Sequence, residues 1–225
     1  MPSSGTPEWH QARKNRICGS EVGAFMGLDK SLSRKRLLEI KSGVKKQKEE
    51  YGWGKAMVNW GKEHESTALN CFAAHFRGSL GPLTFSESLQ HVVHPHLCGT
   101  PDAVLITPSG RVPVEVKCRA YPDTFRACPW KSADEIPAKY VVQVQAYMEL
   151  LGSEEGFLVC WTIQNGTAVW KTRRNTAFFE TLLFPDLEEW SVGALPLRIP
   201  KAERRRITAS VVEMHRGTDA FAVIP

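Results

Sequence analysis

Residues 99–118 read GTPDAVLITPSGRVPVEVKC, and this stretch predicts the centre of the fold. Two apolar runs within it, 103–106 and 112–116, have the length and the β-branched content of short strands. The turn residues Pro108-Ser109-Gly110 lie between them, so the two runs are predicted to pair as a β-hairpin.

Charged side chains accompany both predicted strands. Asp102 comes directly before the first strand, and Glu115 and Lys117 lie in the second. Strand side chains alternate between faces, so Glu115 and Lys117 share one face while Val114 and Val116 share the other. Divalent cations such as Mg²⁺ take carboxylate oxygens, and a nearby lysine can orient water, so this set favours metal-assisted phosphodiester hydrolysis. The alternative is a solvated ion pair, which is the commoner meaning of Glu-x-Lys on a strand.

A third carboxylate belongs to a helix predicted from about residue 54 to 76. Its apolar residues recur with helical spacing at Val58, Leu69, Phe72 and Phe76. Glu65 falls on the same stripe and is predicted to face the core, where a carboxylate needs a cation, hydrogen bonds or a raised pKa. Alternatively, the stripe is slightly rotated and Glu65 lies at its rim.

A second helix, predicted from about residue 137 to 151, carries an amide on its inner face. Tyr140, Gln143, Tyr147 and Leu150 share one side of this helix. Because buried amides need hydrogen-bond partners, Gln143 is predicted to point inward and bond to polar groups.

Several short motifs together resemble one known family. They are residues 9–13 (WHQAR) with 20–22 (SEV), 61–65 (GKEHE), 99–102 (GTPD), 114–118 (VEVKC) and 142–145 (VQVQ). In this order the sequence resembles the YqaJ-type viral recombinases, the family of the bacteriophage lambda exonuclease within the PD-(D/E)xK nuclease superfamily. One departure is Cys18-Gly19-Ser20, where the family usually has Thr-Ala-Ser. The pattern of elements favours an α/β fold with a central mixed β-sheet flanked by helices, and the resemblance implies the PD-(D/E)xK, restriction-endonuclease-like core.

The resemblance also implies roles for the residues of the hairpin and the first long helix. Asp102 and Glu115, with the backbone carbonyl of Val116, would bind a catalytic Mg²⁺ or Mn²⁺ ion. Lys117 would position and activate water. Glu65 would hold metal-bound water or a second ion.

Three further residues match family positions. Gln143 would orient the site. Arg13 and Ser20 match residues near the 5′-phosphate of the digested strand, and Ser20 is predicted to be the N-cap of a short helix over residues 21–28, whose free amides would attract anions. Without the resemblance, simple capping by Ser20 and a surface ion pair of Arg13 would explain both residues.

The implied activity is that of a metal-dependent 5′→3′ exonuclease acting on linear double-stranded DNA ends and exposing 3′ single strands for recombination or repair. The family resemblance further implies a ring-shaped homotrimer and a single-strand annealing protein as partner. Two alternatives stay open. One is a structure-specific or restriction-type DNA endonuclease, and the other is a catalytically inactive DNA-binding recombination module.

Composition is compatible with one nuclease domain over residues 1–225. The chain has 225 residues, of which 42% are hydrophobic, and no low-complexity linker divides it. The predicted parts are an N-terminal helical DNA-end-binding segment (about 1–50), a catalytic core (about 51–175) and a C-terminal helical segment (about 176–225). The core gains two further predicted strands around Asn165-Gly166, and a helix predicted over 176–192 is interrupted or restarted at Pro185.

Positive charge is concentrated in two segments. The net charge is +5, and the basic residues cluster in 30–48 and in 201–206. Either segment could contact DNA phosphates, and either could be a solvated helix face.

The remaining reactive residues predict no further cofactor. The six cysteines show no C-x-x-C pair, which indicates reduced thiols and no iron–sulfur cluster, and His91, His94 and His96 lack companion thiolates for zinc. We find neither a secretory leader nor an apolar run long enough to span a membrane, so an intracellular location is predicted: the cytoplasm, or the host nucleus or cytoplasm if the protein is viral.

Overall fold

A six-stranded mixed sheet forms the centre of the computed structural model, which describes residues 6–46, 52–76, 78–85, 89–90, 94–120 and 129–224. The strands are β1 (Ile17–Cys18), β2 (Leu83–Phe85), β3 (Leu89–Gln90), β4 (Leu97–Gly99), β5 (Ala103–Thr107), β6 (Gly110–Cys118), β7 (Glu155–Trp161), β8 (Thr167–Arg173) and β9 (Thr218–Ile224). The large sheet has the order β2-β5-β6-β7-β8-β9, in which only β6 and β7 run parallel. A small sheet, β1-β4-β3, lies apart from it.

Helices cover the sheets. They are α1 (Pro7–Arg13), α2 (Gly19–Phe25), α3 (Arg34–Lys41), α4 (Gly52–His75), α5 (Ala138–Leu151), α6 (Thr176–Phe178), α7 (Phe184–Ser191) and α8 (Lys201–Arg216). None of the helices in the described ranges is both long and apolar enough to cross a membrane. The α/β class with a central mixed sheet flanked by helices is therefore confirmed.

The predicted hairpin is formed by β5 and β6. Ala103 pairs with Val114, and Thr107 pairs with Gly110 across a turn of two residues, Pro108 and Ser109. Gly110 has a φ of +132°, a backbone conformation that residues other than glycine rarely adopt. The sequence thus predicts the pairing correctly, and the second strand is longer than the apolar run within it.

The two faces of the sheet are covered by different helices. Val144 and Met148 of α5 belong to the hydrophobic cluster that contains Leu158 of β7. On the opposite face, Phe72 of α4 packs in a cluster with Val114 of β6. Full burial of a side chain such as Phe72 contributes about 1.5–3 kcal/mol, so each helix is held by the strand residues that point toward it.

The helix around Pro185 is interrupted and restarts there, as the sequence predicts. The backbone stays helical from Thr176 to Ser191, and a π-helical turn, Phe179–Leu183, comes just before the proline. Pro185 has no N–H with which to bond the carbonyl of Thr181. Arg206 of α8 donates to that carbonyl at 2.8 Å instead, and α7 begins with Pro185 in its first turn.

The sequence predicts a helical C-terminal segment over about residues 176–225, but the end of this segment is a strand. Residues 218–224 form β9, which pairs antiparallel with β8 and has a register irregularity beside Val169 and Trp170. The strand is stabilised by pairing with residues about fifty positions earlier in the chain. Local periodicity cannot indicate such a partner.

We expect Gly156→Ala to destabilise the protein by about 1–3 kcal/mol, because overpacking strains a close contact. A Cβ at Gly156 in β7 would lie 2.7 Å from Val144 Cγ1 and 3.1 Å from Met148 Cγ in α5. Gly61→Ala is the matched control: in α4 its Cβ would meet nothing within 4 Å. The control should be neutral or stabilise by up to about 1 kcal/mol. Urea denaturation measures both, and a wild-type midpoint for Gly156→Ala would contradict the α5–β7 packing.

Candidate active site

A cleft of about 690 Å³ opens where α4, the end of β6 and the first turn of α5 meet. Its walls combine acidic, basic and aromatic side chains, including Glu65, Asp102, Lys117, Lys62, Arg119, Trp53, Trp130 and Tyr140. Three of the predicted catalytic residues, Glu65, Asp102 and Lys117, thus lie on one cavity wall. The other two, Glu115 and Gln143, are buried next to Lys117.

Asp102 is fixed by the hairpin itself. Its Oδ2 accepts a hydrogen bond from the backbone N–H of Val116 at 2.7 Å, which ties the residue before β5 to the middle of β6. Burial raises the pKa of Asp102 above its ordinary value, although Lys117 and the Val116 N–H act in the opposite direction. The site therefore holds this carboxylate in place at an energetic cost that a nearby cation would offset.

Glu115 is the most deeply buried acid of the site, at 2% exposure. Its Oε1 accepts hydrogen bonds from Lys117 Nζ and, at 2.5 Å, from Gln143 Nε2. Its Oε2 is buried and has no hydrogen-bond partner among the residues that the structure describes. Burial, followed by the charge of Asp102, raises the pKa of Glu115 to about 8.

Lys117 supplies the positive charge. Burial alone would lower its pKa, but Glu115 and Asp102 outweigh burial, so the pKa of Lys117 lies above its ordinary value. The ammonium lies 5.0 Å from the ring centroid of Tyr140, close enough for a cation–π contact. Lys117 is therefore protonated across the physiological range. The alternation predicted from sequence is confirmed: Glu115 and Lys117 share a face, and Val114 and Val116 pack with α4 on the other.

Gln143 connects Glu115 to a buried tyrosine. Its Nε2 also contacts the Tyr147 hydroxyl at 3.0 Å, one helical turn further along α5. The Tyr147 ring lies against two glycines, since a Cβ on Gly19 or Gly99 would come within 2.3 Å and 2.6 Å of it. The inward orientation predicted for Gln143 is confirmed. The tight fit of the tyrosine between α2 and β4 helps to fix the amide beside Glu115.

Glu65 lies in the part of α4 where the apolar stripe of the helix is no longer fully buried. Phe72, two turns along, is fully buried, whereas Val58 is 47% exposed and lines the cleft. Glu65 itself is partly buried, and burial followed by the charge of Asp102 raises its pKa. The expectation of a fully core-facing stripe is therefore wrong for this part of the helix. The alternative prediction, in which Glu65 lies at the rim of the apolar stripe, is the correct one, because the N-terminal half of α4 borders the cleft.

The carboxyl groups at the cleft supply some of the oxygen ligands that a hard cation such as Mg²⁺ needs. Within the described ranges, no three or more His, Cys, Asp or Glu side chains converge closely enough to hold a metal ion. Asp102 and Glu115 would carry more negative charge than one ammonium balances once both are ionised, and the unpartnered Glu115 Oε2 is an oxygen of the kind that Mg²⁺ and Mn²⁺ prefer. The residues present therefore fit a divalent cation that keeps several water ligands.

Ser20 does not occupy the predicted N-cap. Helix α2 begins at Gly19, and Cys18 is its N-cap, with the Cys18 N–H donating to Glu21 Oε2 at 2.9 Å. Ser20 is exposed in the first turn. The sequence favoured serine because its hydroxyl is a common cap, but Glu21 satisfies the helix start from the third position.

Arg13 lies at the end of α1 and does not line the cleft. Its backbone carbonyl accepts a hydrogen bond from Lys41 Nζ at 3.3 Å. Burial raises the pKa of Tyr147 well above its ordinary value, and the charge of Arg13 acts against this shift. The charge of Arg13 thus acts on Tyr147, the hydrogen-bond partner of Gln143.

Several residues on the cleft wall carried no clear signal in the sequence. Trp130 lies within 5.8 Å of Tyr140 between ring centroids, and the Arg119 guanidinium is 5.7 Å from the Trp130 centroid. The one signal in the sequence was the position of Arg119, two residues after Lys117 and directly after the end of β6. Two of the three histidines considered for zinc contact other groups: the His94 ring stacks on the Phe184 ring with 3.7 Å between centroids, and His96 Nδ1 lies 3.4 Å from the Asn15 carbonyl. The third, His91, and the cysteine Cys128 fall outside the described residues.

Comparison with known proteins agrees with this geometry. Among solved structures, the chain is similar to an alkaline exonuclease from Laribacter hongkongensis, with 17% identity, a TM-score of 0.59 and coverage of 94% of this chain and 95% of that one. A complex of the same enzyme with dAMP gives the same identity and TM-score over 94% and 97%. A phage-related exonuclease from Haemophilus somnus 129PT has 11% identity and a TM-score of 0.49 over 89% and 93%. At 17% identity the likeness to the Laribacter structures shows the fold.

Sequence comparison identifies the family. No curated protein sequence matches the chain. The family model described as the YqaJ-like viral recombinase domain matches residues 8–154, which is well over half of the chain. The matched region contains α4, the β5–β6 hairpin and α5, the elements that build the cleft. The chain therefore belongs to the YqaJ-like viral recombinase family.

Proposed function

We propose that this chain is a Mg²⁺- or Mn²⁺-dependent 5′→3′ exonuclease that hydrolyses linear double-stranded DNA and leaves 3′ single strands for recombination or repair. The observation that carries the proposal is the buried group formed by Asp102, Glu115 and Lys117 at the wall of an open cleft. Family membership supports a nuclease role for this group.

The cation would be held by Asp102 and Glu115, with the backbone carbonyl of Val116 and with Glu65, which lines the same cleft. When bound, a divalent cation lowers the pKa of water and neutralises charge on a phosphate oxygen. The protein's own contribution is to keep two carboxylates at fixed positions on one hairpin. Asp102 is fixed by the Val116 N–H, and Glu115 is fixed by Gln143.

Lys117 acts through its charge. Because neighbouring carboxylates raise its pKa, the side chain stays an ammonium and can donate hydrogen bonds to an attacking water or to a phosphate oxygen. It therefore orients water and stabilises the developing negative charge, and in this protonation state it cannot accept the proton itself. Lys62 and Arg119 on the cleft wall add positive charge for a phosphate backbone.

The end of the DNA strand would be bound by the N-terminal segment. Arg13 can offer a bidentate fork to a terminal 5′-phosphate, and Ser20 can offer its exposed hydroxyl. The charge of Arg13 acts on Tyr147, and Gly19, the neighbour of Ser20, packs on the same ring.

Assembly and partnership follow from the same proposal. A ring-shaped homotrimer would keep duplex DNA enclosed while successive nucleotides are removed. A single-strand annealing protein would coat the 3′ strand as it is exposed.

We expect Asp102→Ala, Glu115→Ala and Lys117→Ala each to reduce nuclease activity by at least about 100-fold while the protein stays folded, because groups that act as a unit lose function together. Release of nucleotides from a 5′-phosphorylated linear duplex with Mg²⁺ measures activity, and circular dichroism measures folding. Lys171→Ala is the control, since Lys171 pairs with Glu155 on the sheet away from the cleft. Near wild-type turnover by Lys117→Ala would refute the assigned chemistry.

The same assay distinguishes the two kinds of nuclease. Covalently closed circular DNA should resist the wild-type protein, and linear duplex of the same sequence should be degraded. Cleavage of both forms at similar rates would indicate an endonuclease instead.

The raised pKa of Glu115 predicts pH-dependent stability without divalent ions. The ordinary pKa is 4.5 and the folded value is about 8, so between these pH values the folded state keeps a proton that the unfolded chain has released. The free energy of unfolding should therefore fall by at least about 1 kcal/mol from pH 6 to pH 8 through this group. Urea titration in EDTA at both pH values measures the fall, and Glu115→Gln should lack this part of it. The idea fails if both proteins show the same pH dependence.

Arg13→Ala should alter end preference while leaving the chemistry of cleavage intact. Loss of a charge-assisted phosphate contact of about 1.5–3 kcal/mol predicts an activity at least about tenfold lower on 5′-phosphorylated duplex, with little change on 5′-hydroxyl ends. Lys14→Ala removes the same charge from the exposed neighbouring position and should leave the ratio of the two rates unchanged. Equal losses on both substrates with Arg13→Ala would mean that the residue serves folding or general DNA affinity.

A further inference from the structure

A second cavity, of about 450 Å³, lies between the start of α3 and the segment that leads into α8. Four of its lining side chains are cations: Arg34, Lys35, Arg198 and Arg204. The chain separates Lys35 from Arg198 by more than 160 positions, so folding brings the two basic segments seen in the sequence to one place. We call this site the α3 cavity.

Arg34 forms the buried part of the α3 cavity, at 2% exposure. Its Nε donates to the Phe25 carbonyl at 2.5 Å, and its Nη2 donates to Asp186 at 2.5 Å and to Glu203 at 2.9 Å. Its Nη1 is buried and finds no hydrogen-bond partner in the described part of the chain. A guanidinium N–H left unpaired in a buried position is costly, so Nη1 is available to an additional hydrogen-bond acceptor.

The other three cations of the α3 cavity are exposed, and none of them forms an ion pair within 4 Å in the described ranges. The charge of Lys35 does act on Glu39, one turn along α3, and helps to lower the pKa of that carboxyl. The single acid that lines the cavity is Asp29, whose carboxylate already accepts hydrogen bonds from Ser31 and Lys139. Because Asp186 and Glu203 balance Arg34, the excess positive charge of the lining comes from Lys35, Arg198 and Arg204. An anionic ligand would balance it.

The first turn of α3 gives an independent reason to expect an anion. The helix starts after the N-cap Ser33 with Arg34, Lys35 and Arg36, and it has no acidic residue in its first turn. Cations at a helix N-terminus are unfavourable, because the free amides there already carry partial positive charge. A bound anion would reverse this penalty by interacting with both the amides and the side chains.

The α3 cavity lies close to the cleft. Lys139 contacts Asp29 of the cavity at 3.3 Å, and the neighbouring Tyr140 lines the cleft. The two sites thus lie on either side of the first turn of α5. A nucleic-acid backbone leaving the cleft across this turn would meet Lys139 first and the α3 cavity next.

We propose that the α3 cavity binds a backbone phosphate of DNA that extends beyond the catalytic cleft. The proposal rests on the proposed function in taking DNA as the substrate. The ligand group is a phosphate oxyanion, which accepts hydrogen bonds from Arg198 and Arg204 and lies at the N-terminus of α3. This contact adds affinity and holds the path of the strand, and it takes no part in hydrolysis.

The test compares two double variants that remove the same charges. Lys35→Ala/Arg204→Ala removes two cations of the α3 cavity. Lys30→Ala/Arg205→Ala removes one lysine and one arginine from the same two segments at exposed positions that do not line it. Binding of a fluorescent duplex with a 3′ overhang is measured by anisotropy in EDTA over a range of NaCl concentrations. Circular dichroism checks that both variants are folded.

We expect the cavity variant to bind DNA about tenfold more weakly near 0.1 M salt and to reduce the slope of log K against log salt by about one to two. The control should change affinity less than about threefold. Equal losses in both variants would overturn the proposal, because general charge would then explain them.

A second measurement separates DNA from free phosphate. Inorganic phosphate at constant ionic strength should raise the melting temperature of the wild type more than that of the cavity variant. If phosphate stabilisation depends on the cavity while DNA affinity does not, the site takes the free ion only and the DNA assignment is wrong. If the wild type fails to degrade linear DNA with Mg²⁺ but DNA binding still depends on the cavity, the proposed nuclease function fails and this inference stands.

Discussion

Burial of the Glu115 carboxylate is the constraint on which the rest of the site depends. An acid at 2% exposure would cost several kcal/mol if left alone, and two donors, Lys117 and Gln143, offset that cost from opposite directions. The first donor requires β6 to keep its alternation, and the second requires α5 to lie tightly against the sheet. Gly156 permits that close approach, since a larger side chain there would meet Val144. The electrostatics of one residue thus set the packing of a strand and a helix.

The charge balance of the site explains its chemistry. Glu65, Asp102 and Glu115 contribute three carboxyl groups, whereas Lys117 is the one ammonium that acts on all three, and the pKa of each acid is raised. The protein alone therefore leaves the acids partly protonated. A divalent cation would favour their ionised forms, so cation binding and proton release are coupled here. This coupling is consistent with chemistry that gains from higher pH.

The sequence predicted what local rules determine and missed what depends on distant contacts. The shared face of Glu115 and Lys117 follows from strand alternation, and the inward position of Gln143 follows from helical spacing. By contrast, Ser20 was assigned the cap because its own side chain suits it, while Glu21 supplies the actual bond. Strand β9 could not be predicted because its partner β8 is remote in sequence. The roles of the site residues, including the metal ligands and the 5′-phosphate contacts, stay predictions.

The hydrogen bonds of Arg34 also constrain the order in which the native structure can form. Its guanidinium contacts Phe25 nine positions away, Asp186 at a separation of 152 positions and Glu203 at 169. During synthesis the N-terminal helices emerge first, yet the carboxylates that neutralise this buried cation belong to α7 and α8. The contacts of Arg34 are therefore completed only after Asp186 and Glu203 have left the ribosome. Until then the early helices remain an incomplete unit whose apolar surface is open to other chains.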